Sequence, residues 1–284
     1  LQEVLEGLHP QPGDVMVDGT VGGGGHAAAL ARQVVPRGRV LGIDLDAHAL
    51  ELARPQVEGL PVELIHASYT ELPRILAAYQ LEEVAGIVLD LGLSSDQLAD
   101  AQRGFSFQAE GTLDLRFDTD RGYPAYQLLG RLGERELANL IYELGEERFS
   151  RRIARRIVET RRRQPIETAT ELARLVRGCI PSRKGRGGID PATRTFQALR
   201  IAVNGELDNL RSALERLPDC LRHGGRLAII SFHSLEDRLV KHAFRDDARL
   251  SVVSKRPITP SDEELAANPR ARSAKLRIAE RGAD

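Results

Sequence analysis

Four consecutive glycines, Gly22–Gly25, sit between an apolar run and a helix-forming run, and they constrain the fold more than any other stretch. Val15-Met16-Val17 before them reads as a buried strand ending in Asp18. Ala27-Ala28-Ala29-Leu30-Ala31 after them reads as the first turns of a helix. Without Cβ atoms the turn lets a ligand approach the backbone closely. A second strand, Arg39–Ile43, ends in Asp44, and an acidic residue about 20 positions beyond a glycine turn suits the hydroxyls of a ribose. The pattern predicts a nucleoside-containing ligand lying across the carboxyl ends of two parallel strands.

Gly22, Gly24 and Ala27 fit G-x-G-x-x-A, which also admits a nicotinamide dinucleotide. The strand-end aspartates argue for a different ligand. Asp18 closes the first strand, Asp44 the second, and Asp90 the run Ala85-Gly86-Ile87-Val88-Leu89. A pyrophosphate prefers a helix N-terminus without carboxylates crowding it. S-adenosylmethionine has no phosphate; its ammonium, sulfonium and ribose all tolerate nearby carboxylates. It is the expected cofactor.

A chain of 284 residues with 42% hydrophobic content can bury a sizeable core. No apolar run approaches the ~20 residues that cross a bilayer, and no signal-peptide pattern opens the chain. Cys179 and Cys220 lack C-x-x-C spacing, so neither a disulfide framework nor a metal site is expected. The reading is a soluble cytoplasmic protein without membrane partner. Of 40 basic residues only Lys184, Lys241, Lys255 and Lys275 are lysines; arginine is the better residue for phosphate and base stacking.

The first hundred residues alternate strand and helix: strands over 14–18, 39–44, 61–66 and 84–90, helices near 24–35, 46–54 and 70–78. Such a rhythm predicts a parallel sheet covered on both faces. After Asp90 it breaks. Glu134–Leu144, Arg148–Arg163 and Thr170–Arg177 read as helices, the last capped by Thr168 or Thr170, and one long helix is expected from about Ala192 to Leu217. Strand character returns at Arg226–Phe232, Leu250–Ser254 and Ala274–Ala279. The organisation read from this is one α/β domain, 1–102 with 205–284, interrupted by a helical insertion over 103–204.

Arg148 to Arg163 holds eight arginines against one glutamate, Glu159. Phe149, Ile153 and Ile157 fall four apart as one apolar stripe, leaving the guanidinium groups on the other faces. With the basic segment Arg183-Lys184-Gly185-Arg186, this points to a nucleic-acid phosphate surface built on Arg151, Arg152, Arg155, Arg156, Arg183, Lys184 and Arg186. Asp90–Gln97 is expected beside the cofactor, where Asp90 and Gln97 can accept hydrogen bonds from an amine; a loop-capping role is the alternative for Gln97. Ser231–Asp237 follows the fifth strand and starts a helix, with Ser234 as N-cap and Asp237 at N3. Capping does not explain Phe232, able to stack on a base, or His233, a candidate proton acceptor.

Six stretches in order make the chain similar to a known family. They are Asp18–His26, Asp90–Gln97, Gly104–Phe107, Thr193–Asn204, Ser231–Arg238 and Asn268–Arg277. The chain resembles the MraW family, bacterial methyltransferases that modify the N4 amine of a cytidine in small-subunit (16S) ribosomal RNA. The resemblance covers nearly the whole chain. It implies a Rossmann-like α/β methyltransferase sheet with an inserted helical domain that faces RNA, and small-subunit ribosomal RNA or the small ribosomal subunit as partner. It also implies S-adenosylmethionine contacts at Gly24, Gly25, His26, Asp44, Tyr69, Asp90 and Gln97. Tyr69 stands where relatives often have phenylalanine, which keeps a ring against the adenine. The family has a His-x-Pro-Val-Leu stretch just upstream of the point where this chain opens at Leu1-Gln2-Glu3. Other amino-methyltransferases orient the amine with an Asp/Asn/Ser-Pro-Pro-aromatic motif; here Asp90-Leu91-Gly92-Leu93 stands in that place. The catalytic expectation is therefore that Asp90 or a nearby carbonyl accepts an N–H bond, Phe232 or Tyr69 stacks on a ring, and His233 receives the proton.

Overall fold

The computed structural model describes residues 1–107, 111–181 and 190–283. They form two compact units, Leu1–Gly92 with Leu207–Asp284, and Leu93–Glu206.

The first unit is built on a seven-stranded sheet: β1 Val15–Asp18, β2 Arg39–Asp44, β3 Val62–His66, β4 Val84–Asp90, β5 Leu221–Ser231, β6 Leu250–Val252 and β7 Lys275–Arg281. The order is β3-β2-β1-β4-β5-β7-β6. β1 to β5 run parallel, and β7 pairs antiparallel with both β5 and β6. The strand order turns at β1 and β4, which leaves a crevice beyond their carboxyl ends. Side-chain alternation sorts the core into two layers. Val17, Leu41, Ile87 and Leu227 face a cluster that includes Leu72, Leu210 and Phe244. Met16, Val40, Val88 and Ala228 face one that includes Val4, Leu30 and Val34. The helices supplying these residues begin with α1 Gln2–Leu8, α2 Gly25–Val34, α3 Ala47–Val57 and α4 Leu72–Ala78. β4 is buried along its length up to Asp90, as a strand covered on both faces should be.

The second unit carries α5 Ser95–Ala99, α6 Ala125–Arg131, α7 Glu134–Gly145, α8 Ser150–Arg161, α9 Ala169–Cys179 and α10 Thr193–Asn204. Their apolar faces meet in one core that includes Leu137, Ile141, Ile153, Ile157, Leu172 and Phe196. The α8 stripe is as expected: Ile153 and Ile157 are fully buried and Phe149 packs beside them. Thr168 caps α9. The unit begins at Leu93 rather than the expected 103, because Leu93, Leu98 and Phe105 pack into this helical core.

The long helix expected over 192–217 is instead two, α10 and α11 Glu206–Arg216. Gly205 between them adopts a left-handed φ of 60° and ends α10. Just before it, Asn204 donates Nδ2 to the carbonyls of Leu115 (2.7 Å) and Arg200 (2.9 Å) and accepts the Phe117 N–H (2.7 Å). α12 Ser234–Asp246 and α13 Asp262–Ala267 complete the first unit. Among the described residues, no helix is long and apolar enough to cross a membrane.

Candidate active site

The carboxyl ends of β1, β2 and β4 gather three carboxylates, and the turn after β1 is pinned among them. The Gly19 N–H donates to Val88 O (2.9 Å), the Val21 N–H to Ile43 O (3.1 Å), and the Gly22 N–H to Asp44 Oδ2 (2.8 Å). Gly24 precedes α2 with φ 86°; a Cβ there would sit 3.2 Å from that of Ala53. At Gly25 a Cβ would meet nothing within 4 Å, so the turn presents bare backbone to open space at the start of α2.

Asp18 is fully buried; one carboxylate oxygen accepts the Thr20 N–H (3.2 Å), and Oδ2 has no partner among the described residues. Burial, aided by the charges of Asp90 and Asp44, pushes its pKa up to about 7 despite hydrogen bonds from the Thr20 and Ala27 amides. Asp90 is similar. Its N–H donates to Thr20 Oγ1 (2.6 Å), Oδ1 is buried without a partner, and burial raises its pKa to about 6. His26 Nδ1 lies 3.8 Å from Asp90 Oδ2, and burial lowers its pKa to about 4, so the pair is a neutral imidazole beside a carboxylate at neutral pH. Asp44 accepts from Gly22 through Oδ2 and from the Asp46 N–H through Oδ1 (2.8 Å), which fixes both oxygens while leaving each a lone pair. Burial raises its pKa as well. Tyr69, half-buried, packs on the core beside Gly19.

At the end of β5 the expected cap is shifted by one residue. His233, not Ser234, is the N-cap of α12, and Glu236, not Asp237, is N3. His233 Nδ1 accepts the Glu236 N–H (3.3 Å), and Glu236 Oε2 accepts the amides of Phe232 (2.9 Å) and His233 (3.3 Å). The histidine thereby closes the helix through Nδ1. Its Nε2 lies 3.1 Å from Glu236 Oε1, in a setting where both side chains are nearly solvent-free. Asp237 instead bridges Lys275 Nζ (3.0 Å) and Arg277 Nε (2.7 Å), joining the stretches 231–238 and 268–277. Phe232 remains half-buried at the strand end, its backbone held by Glu236.

Gln97 belongs to the second unit. Its Oε1 accepts the Ser94 N–H (3.0 Å), and its own N–H donates to Ser94 Oγ (3.0 Å). That is a reciprocal capping box, made through Oε1 and the backbone N–H. Arg151, Arg152, Arg155 and Arg156 are exposed on α8, where Arg155 lies 3.6 Å from Glu134 and Arg156 3.9 Å from Glu159. Arg183, Lys184 and Arg186 lie outside the described residues.

Sequence reasoning gave no role to Thr20 or Glu236. The only signal for Glu236 was its position three residues after His233, and a histidine is not among the residues that ordinarily mark an N-cap. Asp18 is visible as a strand end, but that its Oδ2 has no partner among the described residues follows only from the folded packing.

A sequence model of the MraW methylase family matches residues 1–282. A protein of Syntrophotalea carbinolica named ribosomal RNA small subunit methyltransferase H is 47% identical over 99% of this chain and 96% of its own length. Proteins of the same name from Synechococcus elongatus and Sorangium cellulosum are 49% and 50% identical, each over 99% of this chain and over 92% and 89% of their own lengths. A match that runs through both units and takes in the glycine turn and the three aspartates places the chain in a family: it belongs to the MraW methylases.

Proposed function

We propose that this protein transfers a methyl group from S-adenosylmethionine to the N4 amine of a cytidine in small-subunit (16S) ribosomal RNA. The observation that carries the reading is the pair of buried carboxylate oxygens without partners among the described residues, Asp18 Oδ2 and Asp90 Oδ1, beside the glycine turn. Buried acceptors of this kind fit a ligand that brings N–H donors and positive charge. When bound, the cofactor supplies an electrophilic methyl group on a sulfonium. Asp44, its oxygens fixed by Gly22 and Asp46, holds the ribose hydroxyls. The Gly24-Gly25-His26 backbone at the head of α2 receives the carboxylate, and Asp18 with its neighbours receives the ammonium. Tyr69 supports the adenine ring.

The exocyclic amine of cytosine is a poor nucleophile because its lone pair is delocalised into the ring. Asp90 answers this by accepting an N–H bond at Oδ1, which turns the lone pair out of conjugation and towards the methyl group. A carboxylate whose pKa is about 6 is ionised at neutral pH, and it takes the proton that N4 releases as the new bond forms. Phe232 stacks on the target ring. Catalysis is then mostly positioning. The target base must be single-stranded or flipped out, since its amine is engaged in a paired helix. The exposed arginines of α8, Arg151, Arg152, Arg155 and Arg156, hold the RNA backbone.

Labelled methyl transfer from S-adenosylmethionine to small ribosomal subunits lacking the modification, followed by nucleoside mass spectrometry, tests the reading. Label in N4-methylcytidine is the expected result. Bound cofactor without label in any nucleoside overturns it. Asp90→Ala is expected to lower turnover at least a hundredfold; intact turnover with unchanged cofactor affinity would remove Asp90 from the mechanism.

A further inference from the structure

Two cavities of about 650 Å³ each open on the helical unit, and they share a wall made by Pro165 and Ile166. Each is of the size that takes a small ligand, roughly 300–1,000 Å³. The first lies between α8 and α9 and is lined by Arg152, Arg155, Arg156, Arg174, Leu175 and Gly178 among others. The second lies beside α6, lined by Tyr126, Gly130, Arg131, Arg161 and Arg162. Together they present seven arginines against three glutamates, Glu159, Glu167 and Glu171. Glu171 is already occupied, its Oε2 accepting the Glu167 and Thr168 amides at 3.2 Å. At the edge of the second cavity's helix, exposed Tyr123 lies under Arg131, whose guanidinium is 4.2 Å from the ring centre. The Arg161 guanidinium is anchored by donating to the Leu129 carbonyl.

We propose that these cavities seat neighbouring nucleotides of a single-stranded RNA segment that crosses the Pro165–Ile166 ridge. The inference rests on the reading of the protein as an RNA methyltransferase. Single-strand sites combine a cationic track for phosphates with apolar or aromatic faces for the bases. Here the guanidinium groups form the track, Leu175 lines one base site and Tyr126 the other, and Pro165 and Ile166 stand between them. A free anion would need one such pocket; two pockets sharing a ridge fit a polymer. The surplus of arginine disfavours a basic peptide, and the apolar residues among the guanidiniums suit a base better than a bare phosphate.

Gly130 and Gly178 permit a test by filling. Both lie in helices, and an added Cβ at either meets nothing within 4 Å among the described residues. Gly178→Leu and Gly130→Leu therefore occupy the cavities without changing charge or crowding the core. Each is expected to weaken binding of a fluorescein-labelled single-stranded RNA oligonucleotide about tenfold by anisotropy. Arg174→Gln is expected to weaken it and to reduce the steepness of the salt dependence by about one ion. Leucine variants with unaltered melting curves and RNA affinity within twofold of wild type would overturn the proposal. Photocrosslinking of wild-type protein to 4-thiouridine RNA gives a readout independent of any variant. Crosslinks in the peptides around 126–131 and 164–178 support the site, and crosslinks confined elsewhere refute it. Leucine variants that bind naked RNA normally yet fail on intact small subunits would assign the cavities to a ribosomal protein instead, which also overturns it. Wild-type methyl transfer run in parallel separates the two readings: its absence defeats the methyltransferase proposal, whereas the crosslink map judges the cavities.

Discussion

Asp18 is a residue whose cost and use have opposite signs. Its folded pKa of about 7 lies above the ordinary carboxylate value of 3.8, so the folded protein holds a proton there more tightly than the unfolded chain does. The stability this contributes is full below about pH 4 and is lost as pH rises through about 7. Asp18→Asn keeps the site neutral at every pH. It is expected to raise the melting temperature of the ligand-free protein at pH 8 by several degrees, at about 2–4 °C per kcal/mol, and to leave it nearly unchanged at pH 4. The same substitution is expected to weaken S-adenosylmethionine at least tenfold in isothermal titration, because the ligand's cation loses its counter-charge. Wild-type affinity should climb between about pH 5 and pH 7.5 as Asp90 and then Asp18 ionise, and level off above. A variant that is stabilised and still binds the cofactor normally would show that Asp18 is a buried structural acid. Tyr69→Phe is expected to keep affinity within twofold, since the ring remains, and Tyr69→Ala to lose about tenfold.

At the scale of elements, the Asn204–Gly205 junction separates what the sequence discloses from what it conceals. The stretch 192–217 carries helical periodicity throughout, and one glycine within it gives little reason to expect a break. The break is imposed by Gly205 in the left-handed region and by Asn204, whose amide reaches back to Leu115 and Phe117 some 90 positions away, at 89 and 87 residues. No local pattern encodes such a partner. Asn204→Ala is expected to cost about 2 kcal/mol in urea unfolding, because two carbonyls and one amide lose their partner together. A loss below 0.5 kcal/mol, the lower end for about one hydrogen bond, would mean that the loop is held otherwise. The parallel strands were legible because short apolar runs ending in aspartates repeat there. The cap of α12 was not, because a histidine ring nitrogen does the work usually given to a hydroxyl. Gln97 shows the converse: the spacing of Ser94 and Gln97 allows a capping box, and the fold forms it.

For the molecule as a whole, the formal charge of -1 means that attraction to RNA cannot come from net charge and must come from its distribution. The carboxylates proposed to hold the cofactor, Asp18, Asp44 and Asp90, belong to one unit, and the α8 arginines to the other. Binding of the two substrates is therefore expected to respond to different variables. Arg151→Glu with Arg155→Glu should lower RNA affinity more than tenfold at low salt and flatten the dependence of log K on log salt by about two. The exposed pairs of Arg155 with Glu134 and of Arg156 with Glu159 are worth too little to alter stability much, so the melting temperature should barely move. Cofactor affinity should stay within twofold at every salt concentration and should follow pH instead. If the double variant lost cofactor and RNA binding in parallel, the two sites would be energetically coupled, and the arginines would have to act through the fold of the sheet unit. If it lost neither, α8 would be a solvated face and RNA would be held by other cations.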